Sequence, residues 1–352
     1  MKDCEKKFSI CIPTFNRGER ALDLVKKCLP NLNNDWELLI LDNCSDRGDS
    51  YYKKIETLSQ NHDQLNYIKH DSNRMFAGNF LACFDHSRSP IIMVCSDEDM
   101  PNIEFVKHSL SMMKNNLNLG LIAGSVSPLE GVTPGNSYNL PDAIYERGKD
   151  ALLKYGFMRN YLSGGVYNKA KIFEYNLHER LRSGIAKHWA YPHLYLEILI
   201  AAKCDIQLSS LNCCFEGKAE ATDIVESSIT STKDNHSLKY KPPYSFGARI
   251  DQFIALRDAA YEAASLLPEG FDIDTFFIMY LSLFSKYLRL VGLSNAPLYT
   301  ENMMFPSFVQ ESLYSLARSA VVMYPEMRPY LSLMLEKLEE IFEGNKVKVS
   351  TS

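Results

Sequence analysis

The fold of the first half is decided by residues 8–17, which read FSICIPTFNR. Residues 8–13 are mostly apolar and β-branched, as in a buried strand, and the following Thr-Phe-Asn-Arg is typical of a loop. Residues 19–29 then place Leu22, Val25 and Leu29 on one helical face, and Pro30 ends that helix. The sequence therefore opens with a strand, a loop and a helix.

The same order of elements recurs before residue 96. Strands are predicted over residues 36–41, 65–69 and 90–95, with helices over residues 51–59 and 77–86. Strands that are almost continuously apolar are typical of a parallel sheet covered by helices on both faces. Ligands bind such sheets at the carboxyl ends of the strands, and polar residues follow each of the four strands. We predict an α/β fold with its site at that edge.

Composition excludes several other classes of protein. The 352 residues are 46% hydrophobic and 23% charged, which is globular and suits about two domains. A formal net charge of −5 gives no general attraction to a polyanion, so no nucleic-acid partner is expected. Nine cysteines without a C-x-x-C pair indicate reduced thiols. Because residues 1–8 lack the apolar core of a signal peptide and no stretch has the ~20 apolar residues of a membrane span, we expect a cytoplasmic protein.

Three consecutive carboxylates, Asp97, Glu98 and Asp99, follow the fourth predicted strand. Their repulsion at a buried strand end requires a cation, and Mg²⁺ or Mn²⁺ is commonly held by one or two carboxylates plus substrate phosphates. The alternative is a solvated turn that caps the next helix. Asp42, which ends the second strand, is a candidate acceptor for a base or ribose, or a turn residue. Residues 13–17 lack the glycine-rich motifs of dinucleotide and P-loop sites.

Taken together, four segments resemble the nucleotide-sugar half of the family 2 glycosyltransferases, which have the GT-A fold. They are FSICIPTFNR at 8–17, LILDNCSD at 39–46, NRMFAGN at 73–79 and CSDEDMP at 95–101. The resemblance implies a GT-A-like, mostly parallel sheet, a nucleoside-diphosphate sugar donor with a UDP-sugar favoured, and Mn²⁺ or Mg²⁺ as cofactor.

Site residues follow from the resemblance by position. Asp99 is the main metal ligand that it implies, together with Asp97, while Gly164 and Gly165 approach the donor sugar. His236 is a further candidate metal ligand. The implied nucleotide-sugar contacts are Pro13, Thr14, Asn16, Arg17, Asp42 (to the base), Asn73, Arg74, Asn79 and Asp97.

The family's Glu-Asp pair, whose aspartate deprotonates the acceptor, is absent from the corresponding stretch WAYPHL, residues 189–194. His193 occupies that place, and an imidazole can act as a base near neutral pH. The alternative is a packing histidine. His188, Glu197 and Asp223 are the other candidates for the base.

The domain division follows from composition and periodicity. We predict a transferase domain over residues 1–240, with a nucleotide-sugar half (1–102), an acceptor half (103–215) and a polar lid (216–243). Residues 244–345 form a predicted bundle of four helices, over residues 246–267, 273–291, 308–323 and 327–342. Its apolar faces are core, a homo-oligomer contact or a peripheral membrane contact.

The residues and the resemblance together predict a metal-dependent glycosyltransferase that moves one sugar to a glycan or lipid-linked acceptor. The resemblance also implies inversion at the anomeric carbon and a role in bacterial capsule or lipopolysaccharide synthesis. Two alternatives remain. A sugar nucleotidyltransferase shares the fold but carries a glycine-rich loop after the first strand, where this sequence has only Gly18. A degenerate, non-catalytic transferase that acts as a scaffold is favoured by the missing Glu-Asp pair.

Overall fold

The computed structural model describes residues 6–134, 137–159, 161–218, 246–283, 314–315, 317–319 and 321–347. The chain divides into two compact units, Met1–Tyr240 and Lys241–Ser352. Strands of the first unit are β1 (Phe8–Thr14), β2 (Trp36–Asp42), β3 (Leu65–Lys69), β4 (Ile91–Val94), β5 (Met100–Pro101), β6 (Leu119–Pro128), β7 (Ala143–Tyr145), β8 (Gly165–Asn168) and β9 (Asp205–Glu216). They form one sheet in the order β3-β2-β1-β4-β8-β6-β9-β5, with β7 paired to β9.

Eight α-helices connect these strands within the described part of the first unit. They are α1 (Gly18–Cys28), α2 (Asp49–Asn61), α3 (Met75–His86), α4 (Ile103–Asn115), α5 (Lys149–Lys154), α6 (Lys169–Glu174), α7 (Leu177–Gly184) and α8 (Pro192–Lys203). A short 3-10 turn, Leu29–Asn31, ends α1 where proline prevents the helix from continuing. The helices predicted after the first three strands are thus confirmed, with their starts displaced by one or two residues.

The first four strands are parallel, as their apolar sequences predict. β1 pairs with both β2 and β4, and β2 pairs with β3. Every residue of β2 is buried, which requires cover on both faces because successive side chains point to opposite sides. The register sets Thr14 beside Asp42. The parallel half of the sheet therefore brings the polar loops to one edge.

The second half of the sheet is mixed. β8 is antiparallel to β4 and to β6, β9 is parallel to β6, and β5 and β7 are antiparallel to β9. The sequence did not predict β8 because it is four residues long, nor β9 because polar residues interrupt its apolar pattern. These strands bring the segment before β8 and the end of β9 against the acidic residues. Gly164 N donates to Val94 O (2.9 Å), and Asn102 N donates to Cys213 O (3.0 Å).

The second unit is helical in its described residues. Helices cover Phe246–Ser265, residues 273–283 and Leu331–Val347, and a 3-10 turn covers Pro325–Tyr330. Phe253, Phe276 and Tyr280 are buried in edge-to-face contact. The last predicted helix begins later than expected because Pro329 interrupts it. Most of the predicted lid, and most of residues 284–323, lie outside the described residues. Among the helices that are described, none is long and apolar enough to cross a membrane.

Candidate active site

A cavity of about 280 Å³ opens at the carboxyl ends of the parallel strands, the edge where ligands bind in such sheets. Most of its wall comes from the loops that follow β1 to β4. It combines two arginines, one aspartate and four asparagine amides with apolar and aromatic groups. The lining residues are Pro13, Thr14, Phe15, Asn16, Arg17, Asn43, Arg47, Asn73, Met75, Phe76, Asn79, Ser96, Asp97 and Leu162.

Asp97 joins the end of β1 to the end of β4. Its Oδ2 accepts a hydrogen bond of 2.7 Å from Thr14 Oγ1, and its Oδ1 accepts one of 2.9 Å from Arg17 Nη1. The carboxylate is 3% exposed, so these two donors fix its direction. Three residues that the sequence placed in one site therefore meet on the cavity wall.

Asp99 is held from the other side, by the segment before β8 and the end of β9. Its Oδ2 accepts hydrogen bonds from Tyr161 OH (2.8 Å) and Ser163 Oγ (2.5 Å), and its Oδ1 accepts one from Gly217 N (3.0 Å). Burial raises the pKa of Asp99, and the three hydrogen bonds act against that rise. Asp99 is buried and lies beside the cavity, although it is not one of the lining residues.

Glu98, between the two aspartates, is the most accessible of the three carboxylates, with 23% of its side chain exposed. It pairs with Arg17 at 3.5 Å and with Arg20 at 3.4 Å. Burial, and to a smaller extent repulsion by its two neighbours, raises the pKa of Glu98 to about 7, while the arginines oppose the rise. Burial of Glu98 thus outweighs the effect of its two arginines.

Asp42 is directed away from the cavity. It is fully buried, its Oδ1 accepts a hydrogen bond from Ser45 N (2.9 Å), and its Oδ2 accepts one from Tyr67 OH (2.9 Å). One oxygen thus holds the loop after β2 and the other bonds to β3, and Asp42 is not among the lining residues. Its neighbour Asn43 takes that place on the wall.

Asn43 fixes the turn that precedes α3. Its Nδ2 donates to Asn73 Oδ1 (2.9 Å), and its Oδ1 accepts a hydrogen bond from Arg74 N (2.8 Å). Asn73 lies on the cavity wall as predicted, whereas the side chain of Arg74 is not part of that wall. Asn79 also lines the cavity, and its amide donates to Leu41 O (3.2 Å). The sequence identified this turn as part of the site but did not identify Asn43.

Asn16 ties the loop after β1 to the loop after β2. Its backbone is left-handed, with φ +58°, a conformation that asparagine tolerates better than most residues. Its Oδ1 accepts hydrogen bonds from Asp46 N (3.0 Å) and Arg47 N (3.1 Å). Asn16, with Pro13 and Arg17, forms the β1 side of the cavity.

The glycines at 164 and 165 do not open a space for a sugar ring. A Cβ at Gly164 would lie 2.1 Å from Cys213 Sγ, and one at Gly165 would lie 2.8 Å from Tyr167 OH. The room left by the missing side chains is thus already filled by β9 and β8, and both glycines are buried. The expectation that their bare backbone admits the donor is not supported, and close packing of the strands explains these glycines instead.

The described candidates for the base lie outside the cavity wall. His193, near the start of α8, is 2% exposed and contacts the ring of Phe80 edge to face, with the centroids 6.3 Å apart. This matches the packing alternative rather than the predicted base. His188 is buried and stacks on Tyr195, and Glu197 is fully buried. Asp223 and His236 lie outside the described residues.

The chemistry of the acidic stretch fits a divalent cation. Asp97 and Asp99 supply carboxylate oxygens, which Mg²⁺ and Mn²⁺ prefer as ligands. Within the described residues, no three His, Cys, Asp or Glu side chains converge as ligands. A cation bound here would therefore need further oxygen ligands, such as water or phosphate, which Mg²⁺ commonly has.

Comparison with known proteins matches the part of the chain that forms the cavity. The family model described as Glycosyl transferase family 2 matches residues 9–179, which include every lining residue of the cavity. Residues 9–179 therefore carry a glycosyl transferase family 2 domain. None of the curated proteins searched matches the sequence of this glycosyltransferase.

Solved structures with the same fold include S. aureus TarS, residues 1–349. In complex with UDP, TarS gives a TM-score of 0.58 at 13% identity, covering 97% of this chain and 90% of that one. In complex with UDP-GlcNAc, it gives a TM-score of 0.51 at 12% identity, with the same coverage of 97% and 90%. At this identity the likeness is one of fold, and it confirms a GT-A-like transferase fold for this glycosyltransferase.

Several wall residues of the glycosyltransferase escaped sequence analysis. Phe15, Phe76 and Arg47 line the cavity, and Ser163 contacts Asp99. Phe15 lies inside the segment FSICIPTFNR, so its position was a usable signal. Phe76 likewise lies inside NRMFAGN at 73–79. Arg47 and Ser163 reach the site only through the way their loops fold back, which the spacing of residues does not give.

Proposed function

We propose that this glycosyltransferase moves a single sugar from a nucleoside-diphosphate sugar, with a UDP-sugar favoured, to a hydroxyl of a glycan or lipid-linked acceptor. The observation that carries the proposal is the cavity at the sheet edge, where Arg17, Arg47 and Asp97 meet four asparagine amides and two phenylalanines. Such a wall offers cations for a diphosphate, amides for ribose and base edges, and flat apolar surface for a base.

The residues of this chain divide the work of binding. Arg17, fixed by Asp97 at 2.9 Å, stands at the cavity wall where a diphosphate would need a cation. Asn43 keeps the turn at Asn73 in place, and this turn forms part of the surface that the nucleotide meets. We assign Asp42 to holding the β2 loop that carries Asn43 against β3, because its Oδ1 accepts from Ser45 N in that loop and its Oδ2 accepts from Tyr67 OH in β3.

A divalent cation, Mn²⁺ or Mg²⁺, would be held by Asp97 and Asp99. When bound, it would stabilise the negative charge that develops on the departing diphosphate. Thr14, Tyr161 and Ser163 orient the two carboxylates toward this task through the hydrogen bonds described above. Inversion at the anomeric carbon is part of the proposal and is supported by the family resemblance alone.

The acceptor and the cellular role are proposed on the resemblance to bacterial surface-polysaccharide transferases. The role would be capsule or lipopolysaccharide synthesis at the cytoplasmic side of the membrane, with a lipid-linked acceptor reached by peripheral contact. Homo-oligomerisation through the helices of the second unit is a further element of this proposal. We assign no catalytic base from the described residues. Among them, Asp97 is the only carboxylate on the cavity wall, and it is paired with Arg17.

Thermal stability of the purified chain tests the donor assignment. UDP, GDP, dTDP and ADP are added in turn, with Mn²⁺ or with EDTA, because a ligand that binds the folded state raises the melting temperature by mass action. We expect a rise with one nucleotide that EDTA abolishes and that Asp97→Asn reduces. If no nucleotide raises the melting temperature under either condition, the proposal is wrong.

A further inference from the structure

A buried ion pair lies behind the acidic stretch and takes no part in the binding described so far. Arg159 Nη1 lies 3.5 Å from Glu197 Oε1, and each side chain is 1% exposed. An ion pair of this kind is costly to bury unless further hydrogen bonds satisfy both partners. The arrangement of those hydrogen bonds indicates what the pair is for.

On the carboxylate side, the partners are two tyrosines. Tyr155 OH donates to Glu197 Oε2 (2.5 Å), and Tyr167 OH donates to Glu197 Oε1 (2.8 Å). Burial and the nearby carboxylate raise the pKa of both tyrosines well above the ordinary value. They therefore stay protonated donors, and Glu197 is anchored between α5, β8 and its own helix α8.

On the guanidinium side, Arg159 holds the segment that precedes β8. Its Nη2 donates to Leu162 O (3.1 Å) and to Ser163 O (2.8 Å). Ser163 then extends toward the acidic stretch: its Oγ donates to Asp99 Oδ2 (2.5 Å) and accepts a hydrogen bond from Ser96 N (2.8 Å). Leu162 lies on the cavity wall. One buried cation thus determines where this segment meets both Asp99 and the cavity.

We infer that Arg159, anchored by Glu197, is a positioning residue for the donor site, acting through the backbone of residues 162–163 on Asp99. This inference rests on the proposed function, since it assigns Asp99 a task in donor binding. A planar guanidinium suits the role because it can donate to two carbonyls and a carboxylate at once, whereas the ammonium of lysine is a compact point charge. The ion pair therefore serves to fix the backbone geometry of residues 162–163.

The test compares Arg159→Lys with Tyr155→Phe. Arg159→Lys keeps the positive charge but loses the fork that holds both carbonyls. Tyr155→Phe removes a hydrogen bond from the same buried network without touching residues 162–163, and so it is the matched control. Both variants should lower the melting temperature, which makes stability alone uninformative.

Two other measurements separate them. The first is hydrogen exchange at the amides of Ser96 and Gly217, which donate to Ser163 and Asp99. The second is the dissociation constant of UDP, or of whichever nucleotide of the panel the parent binds, by calorimetry with Mn²⁺. We expect Arg159→Lys to speed exchange at both amides and to raise the dissociation constant about tenfold, as loss of a residue that orients a ligating group does. Tyr155→Phe should leave both quantities within twofold of the parent.

The outcomes distinguish this inference from the proposed function. Unchanged exchange in Arg159→Lys, or equal changes in both variants, overturns the inference. If exchange is faster in Arg159→Lys than in the parent but the parent binds no nucleotide, the positioning of residues 162–163 is supported and the proposed donor function is wrong. If Arg159→Lys does not fold, Ser163→Ala tests the last link, and unchanged nucleotide binding in that variant overturns the inference.

Discussion

Replacing Gly164 by alanine forces a methyl group into space that Cys213 already fills. Gly164 has φ +86°, and its Cβ would lie 2.1 Å from Cys213 Sγ and 2.7 Å from Cys213 Cβ. A left-handed backbone costs a non-glycine residue about 1–2 kcal/mol, and overpacking a filled core costs about 1–3 kcal/mol. We therefore expect Gly164→Ala to lower the free energy of unfolding by about 2–5 kcal/mol.

Gly131 provides the matched control. It also has a left-handed backbone, φ +78°, but no heavy atom lies within 4 Å of the position of its Cβ. Gly131→Ala should therefore show the backbone cost alone, about 1–2 kcal/mol. The difference between the two variants measures the steric conflict with Cys213.

Urea denaturation followed by tryptophan fluorescence is the appropriate assay, because both tryptophans of the chain, Trp36 and Trp189, lie in the first unit. Each kcal/mol should also shift the melting temperature of a domain of this size by about 2–4 °C. Equal losses in Gly164→Ala and Gly131→Ala would refute the packing argument. Unchanged stability with weaker nucleotide binding in Gly164→Ala would instead restore the predicted contact with the donor sugar.

Substitutions at three other positions separate the site from its scaffold. Because the pKa of Glu98 is raised from 4.5 to about 7, its protonated form stabilises the fold below pH 4.5, and this stabilisation is lost as the pH rises to 7. Urea titrations with EDTA should show this loss of unfolding free energy in the parent, on the order of 1–3 kcal/mol, and a smaller loss in Glu98→Gln. Asn43→Asp keeps the acceptor for Arg74 N but loses the hydrogen-bond donor to Asn73, whereas Asn43→Ala loses both. Calorimetry should therefore show about a tenfold loss of nucleotide affinity for Asn43→Ala and a smaller loss for Asn43→Asp. Glu37, near the start of β2, is fully buried and pairs at 2.7 Å with Arg88 in the loop before β4. Glu37→Gln should lower stability by about 1–3 kcal/mol without changing the nucleotide dissociation constant, and a changed constant would show that this network reaches the site.

The parallel half of the sheet was predictable because its strands are buried on both faces. Such strands are almost continuously apolar, so β2 (WELLILD) can be recognised from composition alone. β9 (DIQLSSLNCCFE) has no such signal, since it bends past β6 with shifts in register and carries polar residues inside. The strands that escaped prediction are therefore those that build the far side of the site, including the contacts to Asp99.

Motif position and side-chain direction are different kinds of information, and the neighbours Asp42 and Asn43 show the distinction. Spacing along the chain located the end of β2 correctly, because strand ends follow from the apolar pattern. It did not tell which of the two side chains faces the cavity, since that depends on Tyr67 OH in β3 and Ser45 N in the loop, which together take both carboxylate oxygens of Asp42. The amide of Asn43, left on the open side, lines the cavity. His193 shows the same distinction: its place in the sequence matches that of a base, but at the start of α8 its ring lies edge to face against Phe80, so position along the chain does not give the surroundings of a side chain.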